Sequence, residues 1–314
     1  MTGTRVVGFG HFQPARVVTN AEMETIVETS DEWIQRRVGI KERRWASEDE
    51  TVESMAANAA RDALAKCNMD ASQIDTFILA SCTTFDKSPN TASRVALELG
   101  VEHEPVTLDI NTACSGFTHG VALASQSIAA GSSETVMVIG VDKLTDVTDF
   151  TDRSTCVLTA DGAGAAILTA ADEQCVSPVV WGSIPQMGNA VRIEHSNNDK
   201  FAQEGQSVYR WATSELPKIA KQIIEKAGIT PEDLAAIVLH QANLRIIKPL
   251  ARKIGAPNAI VATDVIYSGN TSAASVPLAL SKLIDEHPLP TGAPILLFAF
   301  GGGLSYAGQV IKAP

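Results

Sequence analysis

The chain states its architecture twice. A helix-like stretch, Ser54 to Lys66, leads through a polar turn into an aliphatic run, Asp70 to Leu79. About 160 residues later the pattern returns, with Leu216 to Lys226 leading into Thr230 to Leu239. Each copy reads as an amphipathic helix followed by a buried strand. Downstream, Asp109–Gly116 corresponds to Asp264–Thr271, each a strand end, a small-residue turn and a helix start, and Val136–Gly140 corresponds to Ile295–Ala299. Two copies of a strand–helix unit predict an α/β duplication, with mixed sheets between helix layers and halves of 1–170 and 171–314. No Pro/Ser-rich linker separates the halves, so they are expected to pack as one body. Asp161-Gly-Ala-Gly164 reads as a turn before a strand Ala165–Leu168. The polar segment Gly182–Gly205 reads as an irregular surface loop or cap near an entrance.

The repeat brings distant chemistry together. Cys114 sits in Asn111-Thr-Ala-Cys-Ser-Gly-Phe117, a small-residue turn between the apolar run Val106–Ile110 and a helix-like stretch, Gly120 to Ala130. A thiol at a helix start feels the positive end of the helix dipole, which predicts a lowered pKa. Asn270 lies in the equivalent turn of the second copy, and His240 follows the strand equivalent to Phe77–Leu79. A cysteine with a distant His and Asn fits covalent catalysis. The Cys114 N–H and one from Gly301-Gly-Gly303, with Gly303 as the expected donor, would hold an acyl oxyanion. A neutral His240 and the Asn270 amide would form a second pair of side-chain donors for developing negative charge.

Other chemistries are excluded or find no support. The formal charge of −11 disfavours nucleic acid. No apolar run approaches the roughly 20 residues that span a bilayer, and the first residues lack a signal-peptide pattern, so a cytoplasmic protein with no membrane partner is expected. Gly8-Phe-Gly10 lacks the third glycine of a dinucleotide fingerprint. The five cysteines and six histidines form no ligand-spaced set, so no metal is expected. Cys67, Cys82 and Cys156 read as small buried hydrophobes.

The flanks of these residues carry a resemblance. Thr29-Ser-Asp-Glu-Trp-Ile34, Arg37-Val-Gly-Ile40, Asp161-Gly-Ala-Gly-Ala165, His240-Gln-Ala-Asn-Leu-Arg-Ile246, Gly269-Asn-Thr-Ser-Ala-Ala-Ser-Val-Pro277 and Phe300-Gly-Gly-Gly-Leu304 resemble the β-ketoacyl-acyl-carrier-protein synthase III family. The resemblance runs nearly end to end. It implies a thiolase-like duplicated fold in an α/β/α/β/α arrangement and a homodimer. It implies acylation of Cys114 from an acyl-CoA, then decarboxylative condensation with malonyl-acyl carrier protein, without a separate cofactor; the charge at His240 and Asn270 would then be that of an enolate. It also implies that Trp33, Arg37, Arg153 and Asn243 contact coenzyme A and that the segment Gln241 to Arg245 meets the carrier protein, where Arg210, Lys248, Arg252 and Lys253 are expected to join it. An independent reading agrees in part: on a helix over Asn243–Ile254, Arg245, Lys248 and Arg252 share one face opposite Ile246, Ile247, Leu250 and Ile254. Members restricted to two-carbon primers resemble this chain except for a phenylalanine before the proline that matches Pro89. In those members the ring closes the acyl pocket from the neighbouring subunit; here Ser88 stands in its place, which implies a deeper pocket with Ser88 at its floor unless Phe85 fills it.

Related chemistries remain as alternatives. The Gly-rich turn has no second cysteine, against a thiolase, and Asn270 stands where elongating synthases resemble each other in having a second histidine. A relative that transfers acyl groups to oxygen or nitrogen in natural-product assembly shares the fold. A non-catalytic partner subunit is disfavoured by Cys114.

Overall fold

The structure is a computed structural model that describes residues 3–86 and 88–314. Its first half contains strands β1 (Gly3–Phe12), β2 (Arg16–Thr19), β3 (Glu42–Trp45), β4 (Thr76–Ala80), β5 (Val106–Ile110), β6 (Thr135–Lys143) and β7 (Asp161–Ala171). Its helices are α1 (Asn20–Ile26), α2 (Asp31–Arg37), α3 (Val52–Cys67), α4 (Thr91–Glu98), α5 (Gly116–Ala129) and the short α6 (Arg153–Cys156). The second half adds β8 (Val180–Ser183), β9 (Val191–Glu194), β10 (Lys200–Gln203), β11 (Ala236–Leu239), β12 (Ile260–Val261), β13 (Pro294–Gly301) and β14 (Ser305–Lys312). Its helices are α7 (Gly205–Ser214), α8 (Leu216–Lys226), α9 (Leu244–Ile254), α10 (Val265–Ser268) and α11 (Ser275–Glu286).

The duplication is visible in the strand order. One five-stranded sheet runs β5-β4-β6-β7-β1 and the other β12-β11-β13-β14-β8. In each, the first three strands are parallel and the last two antiparallel. Between the sheets lie α5 and α11. Helix α5 carries no charged residue, and α11 none before Lys282, as befits helices covered on all sides. Ile78, Val121, Val138, Val276, Leu280 and Leu297 knit this central layer. Outside the first sheet packs α3, whose buried face is mostly alanine and allows a close approach. Thr51 and Ser54 cap it reciprocally, at 3.0 and 3.2 Å. Outside the second sheet pack α8 and α9, which bury Ile223, Ile224, Ile247 and Leu250.

Two expectations change. Asp161–Gly164 is not a turn but the start of β7, paired with both β6 and β1. The Gly182–Gly205 segment is not irregular throughout, because β9 and β10 form a hairpin within it. No helix among the described residues is long and apolar enough to cross a membrane.

Candidate active site

The site forms where the two copies meet. Asn111 Oδ1 accepts from the Ala113 N–H at 3.1 Å, and Asn270 Oδ1 accepts from the Ser272 N–H at 3.0 Å. Ala113 and Ser272 then adopt φ of 48° and 51°, and α5 and α11 begin three residues later. The equivalent segments are therefore Asn111–Gly116 and Asn270–Ser275. The expected register, Asp264–Thr271, is four residues early. Asn270 is the counterpart of Asn111, and Cys114 that of Ala273. Backbone at positive φ is costly for residues with a side chain, and the asparagine-headed turn holds it in both copies.

Cys114 is enclosed by backbone. Gly301 is extended, and a Cβ on it would lie 2.6 Å from the Cys114 Cβ and 2.8 Å from Sγ, so only glycine fits there. Ser272 Oγ donates to the sulfur at 3.6 Å, and the backbone N–H groups of Gly302 and Cys114 point at it as well. The N–H of the Gly-rich turn that meets the sulfur is thus that of Gly302, one residue before the expected Gly303. The expected lowering of the thiol pKa is also reversed. Burial pushes it up to about 11, with Asp142 adding to the rise and the Ser272 hydroxyl and two N–H groups opposing it. At Cys114 the helix end does not outweigh the loss of water around the thiolate.

His240 follows β11 and is buried, its own N–H bonded to the Phe298 carbonyl at 2.9 Å. Phe300 meets its ring edge-on at 5.5 Å. Burial alone drives the imidazole pKa down to about 3, so it is neutral at physiological pH. Its Nδ1 lies 2.7 Å from Ser275 Oγ, which also accepts from the Gln241 N–H at 3.3 Å. The Ser275 hydroxyl meets no other acceptor among the described residues, so we assign its proton to Nδ1, which places the ring proton on Nε2 as a donor. Asn270 has its Oδ1 occupied by Ser272, which orients its amide nitrogen as a donor too. Its backbone is clamped between Leu158 and Ala160 at 2.9 and 3.0 Å, and buried Arg43 holds the preceding Val157 carbonyl at 2.9 Å.

Two cavities meet at Cys114 and Asn270. The narrower, about 100 Å³, brings in His240, Phe300, Asn243 and Tyr209. The larger, about 540 Å³, is walled by Cys82, Leu144, Val191, Ile193 and Phe201, with the β9–β10 hairpin forming one side. Ser88 and Phe85 do not line it within this chain. Both are exposed, Phe85 by 62%, and stand apart from this chain's own cavity.

The outer residues divide. Trp33 is flanked by Arg37 and Arg153, whose guanidinium carbons lie 5.7 and 5.1 Å from the ring centroid. Asn243 lines the narrow cavity, but its amide is engaged: it caps α9 at the Arg245 N–H (2.8 Å) and donates to the Arg37 carbonyl. Gln241, expected to meet a carrier protein, is buried, its amide bonded to the Leu239 carbonyl (2.7 Å) and the Val265 N–H (3.1 Å). It holds the core and cannot reach a partner. Arg210, Arg245, Lys248, Arg252 and Lys253 are exposed, with Arg245 over Tyr209 at 5.4 Å and Lys253 bonded to the Thr213 carbonyl. The sequence reading missed Ser272, Ser275 and Gly302 as individual groups, although all three lie inside quoted motifs. It also missed Asp142, a buried carboxylate that accepts from the Cys82 and Ala273 N–H groups at 2.8 and 2.9 Å and so ties the two copies together. A strand-embedded aspartate far from any motif gives no sequence signal.

A family model described as 3-oxoacyl-[acyl-carrier-protein] synthase III matches residues 108–184, and the model of its C-terminal part matches 224–313. β-Ketoacyl-[acyl-carrier-protein] synthase III 4 of Streptomyces coelicolor is 56% identical, covering 99% of each chain. The structure of the priming β-ketosynthase from the R1128 polyketide biosynthetic pathway superposes with a TM-score of 0.96 at 37% identity, covering 99% of this chain and 96% of that one. That of 3-oxoacyl-[acyl-carrier-protein] synthase III from Aquifex aeolicus VF5 gives 0.95 at 37%, covering 99% and 100%.

Proposed function

The chain belongs to the 3-oxoacyl-[acyl-carrier-protein] synthase III family, and from that premise we propose how its own residues perform a decarboxylative condensation. The observation that carries the assignment of roles is one junction holding a thiol with two N–H groups and, facing the same space, two oriented side-chain donors.

In the first half-reaction the Cys114 sulfur attacks the thioester carbonyl of an acyl-CoA. The carbonyl oxygen takes up negative charge between the Cys114 and Gly302 N–H groups. Collapse expels coenzyme A, which leaves as the thiol with the Cys114 proton. In the second, malonyl-acyl carrier protein loses carbon dioxide. The electron pair of the breaking C–C bond moves onto the thioester oxygen, which His240 Nε2–H and Asn270 Nδ2–H stabilise as an enolate. The enolate carbon attacks the acyl-Cys114 carbonyl, and the sulfur leaves as a thiolate that takes one proton from solvent, replacing the one that departed with coenzyme A. A neutral histidine suits this step: with its imidazolium pKa lowered to about 3 the ring is uncharged, and the N–H of a neutral imidazole is too weak an acid to pass its proton to the enolate. Both half-reactions balance without a cofactor, and their thioester substrates fit a cytoplasmic enzyme.

Trp33, Arg37 and Arg153 suit a nucleotide with phosphates, an aromatic face between two cations. The basic face of α9 suits the acidic carrier protein. The 540 Å³ cavity suits an acyl group larger than acetyl. A homodimer fits β5, an edge strand that exposes Val106 (49%) and Leu108 (46%).

The test is acyl transfer read by mass. Incubation with acyl-CoA is expected to add one acyl group to the Cys114 peptide, faster with each pH unit up to pH 9 because the resting thiol titrates near 11. Cys114→Ala is expected to abolish the adduct. Acylation of that variant would overturn the mechanism.

A further inference from the structure

We propose that Cys82 and Cys114 form a modification site for small hydroperoxides, in which Cys82 resolves oxidised Cys114 as a reversible disulfide. Cys82 takes no part in the condensation, yet it is not a core hydrophobe. It is only partly buried and lines the same cavity as Cys114. Ser272 Oγ lies 3.6 Å from the Cys82 sulfur and 3.6 Å from the Cys114 sulfur, so the two sulfurs can be no further apart than twice that distance. Both residues line one cavity, and a rotamer change about each Cα–Cβ bond moves a sulfur by about 3 Å, which together closes a gap of at most about 5 Å to bonding distance. The other thiols lack such a partner: Cys67 is bonded to the Ala63 carbonyl and Cys156 is buried, and neither they nor Cys175 line this cavity.

The chemistry closes with the peroxide as oxidant. The Cys114 thiolate attacks one peroxide oxygen, forming an S–O bond as the O–O bond breaks, and the released hydroxide leaves as water with the thiol's proton. The N–H groups of Cys114 and Gly302 that face the sulfur would also hold the sulfenate oxygen. The Cys82 sulfur then attacks the Cys114 sulfur. The S–S bond forms, the S–O bond breaks, and hydroxide departs as water with the Cys82 proton. Two thiols are oxidised by two electrons, and one peroxide is reduced to two waters. Burial holds both thiols well above the ordinary range, so the reaction is slow and accelerates with pH.

The experiment treats the full-length protein with hydrogen peroxide at pH 8, without coenzyme A. The readout is peptide mass, which does not depend on the reaction assigned above. In the wild type the peptides of Cys82 and Cys114 are expected to become linked, with the loss of two hydrogens. Dithiothreitol should then restore iodoacetamide labelling of Cys114. In Cys82→Ser, Cys114 is expected to gain two oxygens instead, and restored labelling should fall about tenfold, because a sulfinate resists thiols. Equal irreversible oxidation of Cys114 in both proteins, with no linked peptide in the wild type, would overturn the proposal. So would linkage of Cys114 to any other cysteine.

Discussion

At the scale of the residue, the site depends on which atom of a side chain is left free. Asn270 and His240 each spend one polar atom on a neighbour, Ser272 and Ser275 respectively, and thereby aim the other into the cavity. Ser275 never faces the reacting atoms, yet it sets which imidazole nitrogen carries the proton. Ser275→Ala is therefore expected to slow condensation by about tenfold or more, the cost of an unpaired buried group, while acylation of Cys114 changes little. Ser275→Thr, which keeps the hydroxyl, should recover most of the loss. Steady-state rates compared with single-turnover acylation separate the two half-reactions. An equal fall in both would give Ser275 a merely structural role.

At the scale of the element, α9 joins the site to its surface. Asn243 caps the helix and fastens it to α2, Ile246, Ile247, Leu250 and Ile254 anchor it to the second sheet, and Gly255 ends it at φ 78°. What remains outward is a basic stripe on a protein with a formal charge of −11. Such a local reversal of sign steers an acidic partner and weakens with salt, since exposed charges are screened beyond roughly 8–10 Å at physiological ionic strength. Arg245→Glu is expected to raise the KM for malonyl-acyl carrier protein several-fold, with a much smaller change in that for acyl-CoA. Insensitivity of the carrier-protein KM to both the substitution and added salt would leave α9 as a solvated face.

At the scale of the whole molecule, burying a histidine at the junction of two sheets couples the site to stability. The His240 pKa falls from 6.5 free to about 3 folded, so below pH 6.5 the unfolded chain takes up a proton that the folded one refuses. Stability from this group is complete above pH 6.5 and is lost as pH falls toward 3. Between pH 7 and pH 5 the loss amounts to about 2 kcal/mol. In urea titrations the wild type is thus expected to lose about that much more than His240→Gln over the same interval. Equal losses would mean that the ring reaches solvent. Asp161 works in the opposite sense, because burial raises its carboxyl to about 6, and stability from its protonated form is lost as pH rises through that value. The edge of the first sheet supplies a second test. Leu108→Lys on β5 places a charge on an exposed apolar edge, so the mass in solution should fall from two subunits to one if this edge joins them. A dimer that persists in the variant would place the proposed interface elsewhere, and a wild type that is a single subunit would overturn it.

The sequence by itself determined the duplication, because helix and strand periodicities follow from local alternation of apolar and polar residues, and a repeat displays them twice. It also determined the reactive residue types, since a thiol, an imidazole and a carboxamide are chemically distinct wherever they sit. Helix α8 and strand β5 fall where their patterns predict them. Only the tertiary structure decided the rest. Gln241 stands in the middle of a motif yet is spent inside the core, and Gly302, not Gly303, faces the sulfur, because a one-residue difference in a turn is invisible to composition. The direction of the Cys114 pKa depended on how completely neighbouring segments exclude water, a property of packing that no local dipole argument contains. The meeting of Cys82, Ser272 and Cys114 likewise required three loops to close on one cavity, and residues so far apart in the chain are made neighbours only by the fold.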